Sequence, residues 1–145
     1  MARHNPPRRT VLDALGTTAK NVYCQLSDLS NEASVENFFV SRFLMDLRYR
    51  DSQIKTKQSL EKLTVGRGSR REKYKPDYAL LFRREPRCII DAKGTDEHLD
   101  DWIEQCSGYC LALNRKYGER NPVKYFVLTN GVRTVLYGEL YTRVD

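Results

Sequence analysis

The 145 residues contain no apolar run near the ~20 that a membrane-spanning helix needs. The basic start, MARHNPPRRT, is followed by no apolar stretch of the kind a secretory signal carries, so the expected setting is cytoplasmic, with no membrane partner. Cysteine is scarce and badly spaced for zinc: Cys24, Cys88, Cys106 and Cys110 include no C-x2-C pair. Cys106 and Cys110, four apart on one face of an expected helix, read as small buried apolar residues in a reducing compartment. His4 and His98 fit no ligand spacing and read as surface residues. No G-x-x-x-x-G-K-[ST] segment is present, and GTTAK at 16–20 is not one, so ATP use is not assigned. Internal repeats, low-complexity tracts and obvious linkers are also missing.

What is present is a chain of one-domain size with enough apolar residues, 40%, to bury a core without staples. Positive charge is in excess at +6 and is concentrated. Between Arg42 and Lys75 lie eleven Lys or Arg against four acids, an excess larger than that of the whole chain. The densest part, GRGSRREKYK, carries Arg67, Arg70, Arg71, Lys73 and Lys75. Such a run is either a solvated loop or a phosphate-binding loop for nucleic acid.

Pattern along the chain predicts an α/β domain with the order α-β-β-β-α-β-β. Residues 1–30 read as an N-terminal extension, partly helical over 10–28, and residues 31–145 as the domain. Ser30 or Asn31 caps a helix running to about Arg48, with Val35, Phe38, Phe39, Phe43, Leu44 and Leu47 on its apolar stripe. QIKTKQSLEKLTV reads as one strand or a hairpin. DYALLF and RCIIDAK form an antiparallel pair across RREP. A second helix covers DEHLDDWIEQCSGYCLALNRKYG and ends at Gly118. Two further strands flank Asn130-Gly131, a strong hairpin signal.

The chemistry collects at one end of the antiparallel pair. Asp91 and Lys93 are i and i+2 on a strand and project to one face, with Ala92 turned away. Pairing around RREP sets Asp77 next to Asp91. Two close carboxylates repel unless positive charge lies between them. A divalent ion preferring oxygen does this, and Mg²⁺ typically uses one or two carboxylates plus substrate phosphate.

Pro76-Asp77, thirteen intervening residues and Asp91-Ala92-Lys93 resemble the signature of the PD-(D/E)xK nuclease superfamily. NEASVENFF in the first helix and Gln105-Cys106-Ser107-Gly108-Tyr109 in the second make the chain similar, over Asn31 to Tyr137, to the N-terminal nuclease domain of type I restriction enzyme motor (R) subunits. The resemblance implies a restriction-endonuclease-like core, a central mixed sheet flanked by helices. It implies a Mg²⁺-dependent endonuclease, Mn²⁺ being an alternative ion, acting on double-stranded DNA. Asp77, Asp91 and the Ala92 carbonyl would hold the metal, with Glu32 or Glu36 as the acid of the first helix. Lys93 would position or activate water, and Gln105 and Tyr109 would touch phosphate or brace Lys93. It also implies partners outside this chain: a motor domain, or specificity and methylation subunits. The chain is then either an excised domain or a stand-alone relative. Each residue has a plainer reading: Glu32 as a helix-dipole acid, Gln105 and Tyr109 as a polar pair on a half-buried helix, Asp77 as a turn residue, Asp91 and Lys93 as a surface ion pair. The other functional reading is a nucleic-acid-binding module with the same fold and no turnover.

Overall fold

The computed structural model describes residues 21–60, 63–65 and 72–138, with the backbone alone for 63–65 and 72–74. Of the helix expected over 10–28, residues 10–20 lie outside the described residues, and within the remainder only Leu26–Asp28 turns, as a 3-10 helix. Asn21 supplies the reason. Its Oδ1 accepts the N–H groups of Tyr23 and Cys24 at 2.8 and 2.9 Å, a side-chain turn that competes with a helix.

Asn31 caps helix α1. Its side chain accepts the Ser34 N–H at 2.9 Å and Ser34 Oγ accepts the Asn31 N–H at 3.0 Å, reciprocal capping worth about 1 kcal/mol. Helix α1 (residues 32–46) starts as α-helix (Glu32–Val35), widens to a π segment (Glu36–Val40) and closes as α-helix (Ser41–Asp46). The wide turn changes the phase of the apolar stripe. Val35, Phe39, Val40 and Leu44 are buried, whereas Phe38 and Leu47, expected on the stripe, are exposed. The helix stops two residues early because Arg48 adopts a left-handed φ of 61°.

Among the described residues, seven strands follow in two sheets. β1 (Ile54–Thr56), β4 (Tyr78–Phe82), β5 (Glu85–Ala92), β6 (Tyr125–Thr129) and β7 (Thr134–Tyr137) form a five-stranded mixed sheet in the order β1-β4-β5-β6-β7. Among the described strands only β5 and β6 run parallel, and helix α2 (Ile103–Asn114) makes that crossover. β2 (Leu63–Val65) and β3 (Glu72–Tyr74) form a separate antiparallel pair, with β2 lying against α2. QIKTKQSLEKLTV is therefore neither one strand nor a hairpin. A turn in which the N–H groups of Ser59 and Leu60 meet the Thr56 carbonyl sends β1 and β2 to different sheets. β3 is an additional strand inside the basic stretch.

The turn between β4 and β5 is only Arg83-Arg84, since Glu85 and Pro86 already belong to β5. Helix α2 ends at Asn114; a 3-10 stretch, Arg115–Arg120, carries the chain on and breaks at Gly118, where φ is 63° and ψ −131°.

Alternation along β5 divides the core. Cys88, Ile90 and Ala92 join Val35, Val40 and Leu44 of α1, while Ile89 joins Cys106, Cys110 and Leu113 of α2. The helices thus cover opposite faces of the sheet. Phe126 is fully buried on the α2 face and stacks on Tyr137 with centroids 4.5 Å apart; burial of a side chain this size contributes about 1.5–3 kcal/mol. Among the described residues, no helix is long and apolar enough to cross a membrane.

Candidate active site

Strand register builds the site. Tyr78 pairs with Ile90, so Asp77 falls opposite Asp91. Thr56 pairs with Tyr78, and the Lys57 N–H continues that ladder to the Asp77 carbonyl at 2.9 Å. Lys57, Asp77 and Asp91 therefore stand side by side across three strands at one end of the sheet. Lys93 follows Asp91 on the same face, its N–H bonded to the Thr129 carbonyl at 2.8 Å.

The two aspartates are tied across the strand pair. The Asp77 N–H donates to Asp91 Oδ1 at 3.3 Å, and the Ala92 N–H donates to Asp77 Oδ2 at 2.8 Å. Each carboxylate then has one oxygen left facing an ammonium. Asp91 Oδ2 lies 3.0 Å from Lys93 Nζ, and Asp77 Oδ1 lies 3.6 Å from Lys57 Nζ. Asp77 and Asp91 are 5% and 2% exposed, so these charges interact with little screening by water.

Burial, then the Asp77 charge, pushes the Asp91 carboxyl up to about 7, against the pull of Lys93. Lys93 itself loses solvent on burial, which lowers it, yet Asp91 more than offsets this and the ammonium is raised overall. Lys93 therefore stays an ammonium, and the Asp91 carboxylate is disfavoured chiefly because burial strips it of water. Burial and then Asp91 also raise the Cys106 thiol and the Tyr109 hydroxyl, so both stay neutral at physiological pH.

Both glutamates proposed for the first helix face the site. Glu36 is buried, with Oε2 accepting from Lys57 Nζ at 3.0 Å. Its charge also acts on Tyr78, whose hydroxyl is raised mainly by burial and then by Glu36. Glu32 is solvent-exposed as a residue, yet partial burial of its carboxyl raises it, with Asp77 adding and Lys93 opposing. Gln105 does not point to bulk solvent: Oε1 is buried and accepts no hydrogen bond among the described residues. Tyr109 is buried on the α2 face. Arg67, Arg70 and Arg71 lie outside the described residues, in the connection from β2 to β3. Lys73 belongs to β3, where only backbone is described, and Lys75 is exposed.

Three participants escaped sequence reasoning. Lys57 was one cation among eleven, and only register singles it out. Trp102, the chain's single tryptophan, carries the Lys93 ammonium 4.0 Å from its ring centroid and donates from Nε1 to Glu97 Oε2 at 3.3 Å. Its place within the expected second helix gave no hint of this. Cys106 is more than filler: its Sγ is 3.9 Å from Asp91 Oδ2.

Among the described residues, no three His, Cys, Asp or Glu side chains converge closely enough to hold a metal ion unaided. The donor set nevertheless suits Mg²⁺. Two adjacent carboxylates offer hard oxygen atoms, the raised Asp91 favours added positive charge, and this ion commonly completes its shell with water and phosphate. Compared with known proteins, the chain matches no family model, no curated protein and no solved structure.

Proposed function

We propose that the chain is a Mg²⁺-dependent DNA endonuclease domain with a PD-(D/E)xK-type core, hydrolysing phosphodiester bonds. The observation that carries this reading is the cross-strand placement of Asp77 beside Asp91, with Lys93 in contact with Asp91. The similarity to the nuclease domain of type I motor subunits, Mn²⁺ as an alternative ion, and double-stranded DNA with partner subunits belong to the same proposal.

In this reading Asp77 and Asp91 hold the ion, with the Ala92 carbonyl and Glu36 or Glu32 as further oxygen donors. When bound, the ion polarises the phosphoryl oxygen and lowers the pKa of a bound water. Lys93 is raised and stays an ammonium at neutral pH, so it donates hydrogen bonds and offsets phosphate charge and does not take a proton. Trp102 restricts where that ammonium can go. The buried Gln105 Oε1 has no partner among the described residues and can accept from a water.

Incubation of the protein with plasmid DNA and Mg²⁺ or Mn²⁺ tests the proposal. Metal-dependent cleavage is expected, lost in Asp77→Ala, Asp91→Ala and Lys93→Ala. Equal nicking by wild type and Asp91→Ala would contradict it. A nucleic-acid-binding module without turnover is the second reading. It is favoured by the two lysines that already face both aspartates. DNA binding with no metal-dependent cleavage in wild type would support it.

A further inference from the structure

The two site lysines are not equivalent. Lys93 is held on both sides, 3.0 Å from Asp91 Oδ2 and 4.0 Å from the Trp102 ring centroid, and its side chain is only 11% exposed. Lys57 is held less closely. Its side chain is 49% exposed and reaches Glu36 at 3.0 Å and Asp77 at 3.6 Å, while those carboxylates are 11% and 7% exposed. An ammonium that stays half in water exchanges more readily than one enclosed on both sides. Glu36 opens the π segment of α1, a distortion that recurs at functional sites.

We infer that Lys57 is a displaceable counter-ion of the metal site: it stands in for a divalent cation on Asp77 and Glu36, and turns to a DNA phosphate when the cation arrives. The inference rests on the metal-dependent reading above. Asp77 Oδ2 is committed to the Ala92 N–H, so the oxygen open to a cation is Oδ1, the one Lys57 faces. A divalent ion there repels the ammonium. Lys57 can leave at low cost because its head already meets water, and its four-carbon stem lets the charge swing while the strand stays paired. Lys93, enclosed by Trp102 and Asp91, stays. The exchange makes metal and ammonium competitors for Asp77, and makes the released ammonium a phosphate contact.

Lys57→Met keeps the length and apolar stem and removes the charge; Lys57→Arg keeps the charge. Free Mn²⁺, followed by electron paramagnetic resonance, is titrated against the full chain of each protein, with circular dichroism confirming the fold. Binding to duplex DNA is measured across salt concentrations. Expected for Lys57→Met is Mn²⁺ affinity about two- to fivefold tighter than wild type. DNA binding becomes weaker, with a salt slope shallower by about 0.9 log unit. Lys57→Arg stays near wild type in both. A structural role alone would weaken both ligands together. Unchanged or weaker Mn²⁺ binding in Lys57→Met, with wild type binding Mn²⁺, overturns this inference and leaves the metal reading standing. An unchanged salt slope overturns the transfer to phosphate. No Mn²⁺ binding by any of the three overturns the metal reading and the inference together.

Discussion

Ionising Asp91 puts a negative charge beside Asp77 in a pocket of the fold that water barely reaches. An unfolded aspartate titrates near ~3.9. In the folded chain burial and then the Asp77 charge push the Asp91 carboxyl up, to about 7, so between these values the native state keeps a proton that the unfolded state has released. Stability from this group therefore falls as pH rises from about 4, and the loss is complete above about 7. Thermal melts should show the melting temperature declining from pH 5 to pH 8, and Asp91→Asn should flatten the decline. Mg²⁺ should raise the melting temperature more at pH 8 than at pH 5.5, because only the ionised carboxylate profits from the cation. An equal Mg²⁺ effect at both pH values would count against the assignment. Asp77, Asp91 and Lys93 were legible from strand alternation and one short turn, both local properties. Lys57 and Trp102 were not, because their roles depend on register and on how a loop returns, which no local pattern encodes.

Elements show the same division between local and long-range causes. The Arg83-Arg84 turn gives both residues positive φ, 50° and 67°, a conformation suited to Asn-Gly. Arg83 is partly compensated by lying over the Phe82 ring at 5.3 Å. Replacing the pair by Asn-Gly should stabilise the fold by about 1–2 kcal/mol, read as a higher denaturant midpoint at unchanged slope. A lower midpoint would mean that the arginines contribute more than the strain costs. The short turn was readable from RREP, although Glu85 and Pro86 proved to be strand. The Asn130-Gly131 connection was also readable, since Asn130 Oδ1 accepts two following N–H groups and Gly131 takes φ 82°. The π segment was not. A pattern of period 3.6 has no place for a five-residue step, so Phe38 was assigned to a stripe that Val40 occupies.

For the whole molecule, the α/β class and most of the element order followed from apolar segments separated by turn residues. β3 was lost because its charged sequence, EKY, resembles a solvated loop. The sheet brings residues from three strands and two helices to one end: Lys57, Asp77, Asp91 and Lys93, with Glu36 from α1 and Cys106 from α2. Strand pairing is thus what brings these separate charges together. The account stands on a divalent ion lying between Asp77 and Asp91. Crystals soaked in Mn²⁺ and measured for anomalous scattering test this directly. The account predicts an anomalous peak between Asp77 and Asp91, with the Lys57 ammonium moved off Asp77 and Lys93 still against Trp102. A soaked crystal with no peak there, and with both lysines still on the two carboxylates, would contradict it.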